Sequence, residues 1–245
     1  MNEYERICQW WASHQIENAD ELFAALNGFC VGFAFHSGKL ENPRITFHDT
    51  REIFDKDGVV SYTGDLRTLF EIRNEKRAYE LFLEAFDQKR TVDEDLVQAF
   101  QKALTENTYD ERRWRLGERP GEYKKHEFVT GIAEVGASVE DTPQEMQELL
   151  EDLQDVPNKN ALTAAAYFHA KFENIHPFAD GNGRCGRLVM NYLLICLGHP
   201  PVTIHEEDRK GYYDALEIWD RTLDLEPLKE FLRQQCVKTW KSKLQ

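Results

Sequence analysis

One stretch of this chain is apolar on nearly every side of a helical wheel, and only a short loop separates it from a second apolar helix. Residues 159–173 contain Ala161, Leu162, Ala164, Ala165, Ala166, Tyr167, Phe168, Ala170 and Phe172. A helix apolar all round belongs in the middle of a fold. A second apolar helix is expected from about Gly183 to Leu197, stopped by Gly198 and the pair Pro200-Pro201.

Most of the remaining sequence also reads as helix. Short aromatic-rich helices are expected over 3–12 and 20–34, followed near 37–58 by a polar stretch punctuated by Pro43 and Gly58. A long helix is expected over 65–88, with Leu81, Phe82, Ala85 and Phe86 on one face, and another from Asp93 to about Asn107. The helical period breaks between 109 and 141, where 128–135 predicts a short hairpin. A helix resumes near Thr142, read as its N-cap, with Pro143 first in the helix. Helices near 208–222 and 226–241 close the chain. The expected class is all-α with one small β-hairpin.

Composition narrows the function classes. A length of 245 residues suits one large domain, or a core with a helical extension. A hydrophobic content of 41% is too high for a disordered chain. No apolar run approaches the roughly 18–20 residues that span a membrane, and the N-terminus lacks the basic-then-apolar order of a signal peptide. Cysteines 8, 30, 185, 196 and 236 are odd in number and form no CxxC pair. Free thiols in the cytoplasm are therefore expected, not a disulfide framework or zinc site. A net charge of −14 argues against non-specific binding to nucleic acid or to an anionic membrane. A nucleotide site needs only local positive charge and is compatible with it.

The loop between the apolar helices reads His176-Pro177-Phe178-Ala179-Asp180-Gly181-Asn182-Gly183-Arg184-Cys185-Gly186-Arg187. Pro177 biases His176 away from helical geometry, which ends the preceding helix and holds the imidazole at its tip. Gly181 and Gly183 permit close backbone approach. The loop runs into a helix N-terminus, where unpaired N–H groups and the helix dipole favour an anion. Arg184 and Arg187, three residues apart, share a helix face, and two guanidiniums beside such a nest describe a polyphosphate site. Asp180 at the mouth could hold Mg²⁺ between phosphate oxygens. His176, with an ordinary pKa of about 6.5, suits a general base. Each of these residues alone is more often structural; their joint order between two apolar helices is what carries the reading. Neither a P-loop nor a kinase motif set is present.

The loop resembles the signature of Fic (Fido) proteins, His-Pro-Phe-x-(Asp or Glu)-Gly-Asn-Gly-Arg-x-x-Arg, and matches it at every specified position. The likeness extends over roughly 95–235 and includes the Gly117–Lys125 stretch, a flap-like segment over 128–138 and Tyr212-Tyr213 with the residues after them. It implies Mg²⁺-dependent transfer of AMP from ATP to a Ser, Thr or Tyr hydroxyl of a protein. By the resemblance, His176 is the base, Phe178 fixes the loop and Asp180 binds Mg²⁺. Gly181, Asn182 and Gly183 hold the inner phosphates, Arg184 and Arg187 the outer ones, and Cys185 and Gly186 complete the nucleotide-binding turn. Val135, Gly136, Ala137 and Ser138 border the nucleotide at the flap, on which a protein substrate docks as an added strand. Tyr212, Tyr213 and Asp220 approach the adenosine; Asp220 stands where relatives often carry Asn. The implied organisation is an N-terminal helical region over 1–94, a Fido catalytic core over 95–236 and a C-terminal tail over 237–245.

Many members of that family contain a helix with (Ser or Thr)-x-x-x-Glu-(Gly or Asn), whose glutamate pairs with the second motif arginine and obstructs ATP. Two segments match: Ser13 to Asn18 with Glu17, and Ser37 to Asn42 with Glu41. The second is preferred, because it follows the apolar segment Phe29 to Phe35 and precedes Ile45-Thr46 and His48-Asp49-Thr50, as in N-terminally inhibited relatives. Ser37, Glu41 and Asn42 are thus the expected inhibitory residues. The same loop could serve AMP removal or transfer of another nucleotide, and a non-catalytic nucleotide sensor is the third reading. Trp10 and Trp11 offer either a homodimer surface or core packing.

Overall fold

The computed structural model describes residues 1–59, 62–127, 136–154, 157 and 160–244. The α-helices among them are α1 (Glu3–Ala12), α2 (Ala19–Leu26), α3 (Phe29–Glu41), α4 (Phe47–Lys56), α5 (Leu66–Asp87), α6 (Glu94–Thr105), α7 (Glu111–Arg115), α8 (Thr142–Glu151), α9 (Ala161–Ile175), α10 (Asn182–Cys196), α11 (Arg209–Thr222) and α12 (Glu226–Trp240). No strand occurs among the described residues. The hairpin expected over 128–135, Val135 included, lies outside them.

The two apolar stretches become α9 and α10, packed on each other at the centre. α6 and α3 cover α10, α8 and α12 cover α9, and α5 lies across α3 and α6. One core runs from Ile7 of α1 through Phe168, Phe172 and Leu194 to Trp240 of α12. Each such Leu or Phe contributes about 1.5–3 kcal/mol on burial. Gly198, at φ 73, ends α10, with the N–H of His199 donating to Leu194 O at 2.8 Å.

Several boundaries differ from those expected. The helix expected over 20–34 is two helices, because Asn27 and Gly28 take left-handed φ values of 30 and 84, which these two residue types tolerate best. The polar stretch near 37–58 is mostly helical: α3 runs on to Glu41 and α4 begins at Phe47. Burial of Ser37, Gly38 and Leu40 overrides the polar composition, and a Cβ on Gly38 would meet Ile45 Cδ1 at 2.7 Å. Asp141, not Thr142, is the N-cap of α8; Thr142 opens the helix and its hydroxyl donates to Ser138 O at 2.7 Å. By contrast, α12 runs to Trp240 as the helix expected over 226–241 does, and Trp240 is buried with Nε1 donating to Pro201 O. Trp10 and Trp11 pack against Trp240, Trp11 buried and Trp10 half-buried.

Candidate active site

The loop after α9 is held by its backbone. His176 takes the left-handed conformation, φ 50 and ψ 62, and donates its N–H to Phe172 O. The restriction before proline predicts an extended residue; the left-handed one observed costs about 1–2 kcal/mol. Clamps on both sides offset that cost. Pro177 O accepts from Lys124 N at 2.9 Å, and Ile175 O accepts from Ala137 N at 2.9 Å and from Lys124 Nζ at 3.5 Å. Gly136, at φ 71, lets the segment after the flap approach this turn; a Cβ there would meet Ile175 O at 2.7 Å and His176 Cβ at 2.9 Å.

Phe178 is fully buried against Tyr123 and Phe172, which anchors the loop as expected. Asn182 staples it: Oδ1 accepts from Phe178 N at 2.9 Å, while Nδ2 donates to Phe178 O at 2.7 Å and lies 3.1 Å from His176 Nδ1. Its side chain is therefore engaged by the loop and the imidazole, and only its backbone N–H is left to face an anion.

One cavity of about 500 Å³ is lined by Glu41, His176, Asp180, Gly181, Asn182, Gly183 and Arg184, with Arg112, Arg113 and Glu127 also on its wall. The N-terminus of α10 opens into it. Its N-cap, Gly181 at φ 80, has no side chain with which to cap the first N–H groups, so these remain for a ligand. Arg184 is buried, with NH1 donating to Leu104 O at 3.3 Å, NH2 3.6 Å from Asp180 Oδ1, and Nε left without a hydrogen-bond partner among the described residues. A buried donor lacking an acceptor, beside uncapped helix N–H groups, is a fit for phosphate oxygens.

Arg187 lies one turn deeper and is 1% exposed. It donates through Nε to Ser37 Oγ at 3.1 Å, and through NH2 to Ser37 O at 3.0 Å and Glu41 Oε1 at 2.8 Å. NH1 lies 3.5 Å from the hydroxyl of Tyr212, which is itself 2.6 Å from His169 Nε2. Burial alone would lower the pKa of Arg187; the Glu41 carboxylate beside it prevails and raises it. The Glu41 carboxylate also lies over Gly183, where a Cβ would collide with Oε1. A negative group thus occupies the place that the dipole of α10 favours for an anion. Glu17 is elsewhere, on a groove formed with Phe86, Arg90 and Cys196.

Burial pushes the His176 pKa down to about 4; Lys124 acts in the same direction, and Glu41 and Asp180 pull the other way. The imidazole is therefore neutral at neutral pH and able to accept a proton. It is a weaker base in the free protein than the ordinary value implies, and phosphates entering the cavity would raise it again.

Asp180 Oδ2 accepts from Arg67 at 2.9 Å and lies 3.9 Å from Arg113. Among the described residues no three His, Cys, Asp or Glu side chains converge as a metal cage. A single carboxylate at the cavity does fit Mg²⁺, which commonly binds one or two carboxylates and takes its remaining ligands from phosphates and water.

Other expected site residues lie outside the cavity. Cys185 is buried toward Val97 O, and Gly186 faces His169, Glu173 and Phe172 of α9. Asp220 accepts from Asn174 Nδ2 at 2.9 Å on the far part of α11. Tyr213 is exposed beside Arg209. Ser138 Oγ donates to Asp141 Oδ2 at 2.7 Å, at the start of α8. Sequence reasoning missed Gln101, whose Nε2 donates to Asp180 O at 2.8 Å and whose Oε1 accepts from Gly121 N. It missed Lys124 and Arg67 as well. Gly121 and Lys124 belong to the 117–125 stretch flagged above, which was the available signal; Arg67 had none.

The fold and site define a helical domain in which a helix N-terminus, the Arg184 guanidinium and the His176 imidazole face one cavity, with the Arg187–Glu41 pair at its edge. Residues 91–194 match the model of the Fic/DOC family. It is 34% identical over 125 residues to the protein adenylyltransferase Fic of Drosophila willistoni, covering 49% of this chain and 24% of that protein. It is 36% identical over 119 residues to the Aedes aegypti protein of the same name, covering 46% and 24%. The chain thus spans about a quarter of the length of these relatives. Among solved structures, a Fic-domain-containing signaling protein from Bacteroides thetaiotaomicron matches with TM-score 0.80 at 23% identity, covering 98% of this chain and 94% of that one. Fic-1 from C. elegans matches with TM-score 0.77 at 18% identity, covering 98% and 72%. Both likenesses are to the fold.

Proposed function

We propose that this chain is an autoinhibited protein adenylyltransferase that transfers AMP from ATP to a Ser, Thr or Tyr hydroxyl of a protein, itself included. The observation that carries the reading is the convergence of the His176 imidazole and the uncapped start of α10 on one cavity. The names of the relatives add support at family level.

In the proposed reaction the target hydroxyl attacks the α-phosphorus of ATP. The new O–P bond forms as the bond to the bridging oxygen of pyrophosphate breaks. His176 takes the hydroxyl proton, and Asn182 beside the ring orients it. The N–H groups at the start of α10 and Arg184 stabilise the phosphates, and Arg187 would hold the outermost one once released. Mg²⁺ held by Asp180 would neutralise charge between phosphate oxygens. Catalysis here is positioning and electrostatics, with no covalent intermediate.

Glu41 is the proposed brake: it takes Arg187 and lies across Gly183. The decisive experiment incubates wild type, Glu41→Gly and Glu41→Gly/His176→Ala with ATP labelled in its α-phosphate and with host lysate. Label should enter protein with Glu41→Gly alone. No label from Glu41→Gly across targets would overturn the brake. Because Glu41 and His176 line one cavity, a carboxylate-assisted AMP removal is the second reading. Mass spectrometry of an AMP-modified target incubated with wild type distinguishes it. A reducing compartment such as the cytoplasm is proposed with this function, on the odd number of cysteines and the lack of a CxxC pair in the sequence.

A further inference from the structure

The carboxylate assigned to the metal is gripped by the N-terminal region. Asp180 Oδ2 accepts from Arg67 NH2 at 2.9 Å, and Arg67 lies in the first turn of α5, far from the loop in sequence. The same guanidinium donates through Nε to Glu71 Oε1 at 2.9 Å. Glu71 Oε2 in turn accepts from Asn42 Nδ2 at 2.6 Å, and Asn42 is the C-cap of the helix that ends in Glu41. Asn42 also donates to Thr68 Oγ1 at 2.9 Å. A continuous set of side chains therefore joins the residue after Glu41 to Asp180: Asn42, Glu71, Arg67, Asp180. Glu71 is buried, whereas the Arg67 side chain is 47% exposed and the Asp180 side chain 17%. Arg67 is the solvent-facing member, tethered through Nε to buried Glu71 with its NH2 end reaching Asp180.

A carboxylate oxygen that accepts a guanidinium N–H at hydrogen-bond distance is not free to bind a divalent cation with the same lone pair. The two positive groups compete for one donor. We propose that Arg67 is a second latch: the N-terminal region closes the site at both ends, Glu41 withholding Arg187 from the nucleotide and Arg67 withholding Asp180 from the divalent cation. This rests on the reading of Asp180 as the metal carboxylate. Because Asn42 and Glu71 link the two latches, displacement of the end of α3 would loosen both.

The test measures binding, not turnover. Calorimetry with an ATP analogue that cannot be cleaved between the α- and β-phosphates is run against Mg²⁺ concentration, with Mn²⁺ binding followed by electron paramagnetic resonance. The proteins are wild type, Arg67→Met, Arg67→Lys, Asp180→Asn and Arg67→Met/Asp180→Asn, each checked by thermal melting. Arg67→Met should lower the cation concentration at half-saturation about three- to fivefold, the scale of a partly exposed ion pair. Arg67→Lys should lie between Arg67→Met and wild type. In the Asp180→Asn background the Arg67→Met effect should vanish. An unchanged or higher cation requirement in Arg67→Met, with Asp180→Asn still losing cation dependence, overturns the latch and leaves the metal assignment standing. Cation dependence that survives Asp180→Asn overturns the metal assignment, and the latch with it. Glu41→Gly serves as the control that separates the two ends: it should tighten the analogue at saturating Mg²⁺ while leaving the cation requirement as in wild type.

Discussion

Glu41 Oε1 and Arg187 NH2 are 2.8 Å apart, yet the carboxylate side chain is 38% exposed and the guanidinium only 1%. The pair is asymmetric. One partner is fixed inside, held also by Ser37, and the other can leave for water. Glu41→Gly should therefore raise transfer activity at least about tenfold, the equivalent of ~1.4 kcal/mol. Its stability cost should approach about 3 kcal/mol, because the buried Arg187 guanidinium loses its counter-charge and keeps only the Ser37 and Tyr212 oxygens. Labelling and differential scanning calorimetry check the two halves separately. Arg187→Ala should behave differently, losing nucleotide affinity, with its stability cost coming from the emptied space and the stranded Ser37 oxygens, because the freed Glu41 carboxylate can turn to water.

The second prediction concerns acid. A proton acceptor must be neutral, so activity is lost as pH falls through the folded-state pKa of His176, which burial places at about 4. For Glu41→Gly, kcat/KM should hold through pH 6.5 and fall only toward pH 4, since this ratio reports the free enzyme. The limb in kcat should lie higher, because bound phosphates favour the imidazolium. A kcat/KM limb at 6.5 would show that burial does not govern this ring.

Asn182→Ala removes the amide that spans Phe178 and His176. Transfer should fall about 10²-fold in the Glu41→Gly background, within the range set for misplacing a catalytic group. Nucleotide affinity should change little, because in the proposed site the phosphates would be held by backbone N–H groups and Arg184.

The pH dependence of folding has two opposed contributions. Burial holds His169 at about 3 and His199, His36 and His176 at about 4. The unfolded chain takes these protons first, so stability declines as pH falls from 6.5 toward 4. Burial raises Glu75 to about 7 and Glu173 to about 8. The folded chain keeps these protons, so stability is fullest below about 4.5 and is lost as pH rises through 7 and 8. Together they put the stability maximum near pH 6–6.5. Urea unfolding across pH should show it, and Glu173→Gln should flatten the alkaline side.

The centre of the fold and its loop were legible in the sequence because their signals are local. The apolar pattern of 161–175 and 182–196 needs no partner to be read, and Pro177 and Gly181 mark the turns between them. Glu41 was legible only through a short pattern. That pattern also matched Glu17; the apolar segment before Ser37 and the Ile45-Thr46 and His48-Asp49-Thr50 residues after it favoured Glu41, and in the structure it is Ser37 and Glu41 that meet Arg187. Asn27-Gly28 was missed as a break because the apolar residues on both sides carry the helical period across it. Cys185 and Gly186 sit within the motif but on the side of α10 that faces Val97 and α9, a distinction set by helical phase and not by residue type. Arg67 could not be found at all: its meaning comes from a partner more than a hundred positions away.

Gly183 has one further consequence. The loop and the N-terminal region meet at its missing side chain, because a Cβ there would strike the Glu41 carboxylate and stand 3.0 Å from Arg187 NH1. Positions 41 and 183 are in effect one compound residue, divided between two helices with 141 residues of chain between them. An alanine at 183 would expel the glutamate without touching it, and at the same stroke roughen the floor on which the triphosphate must rest. On the proposed reading, the brake and the phosphate cradle would share a space one methyl group wide, and neither could be redesigned alone.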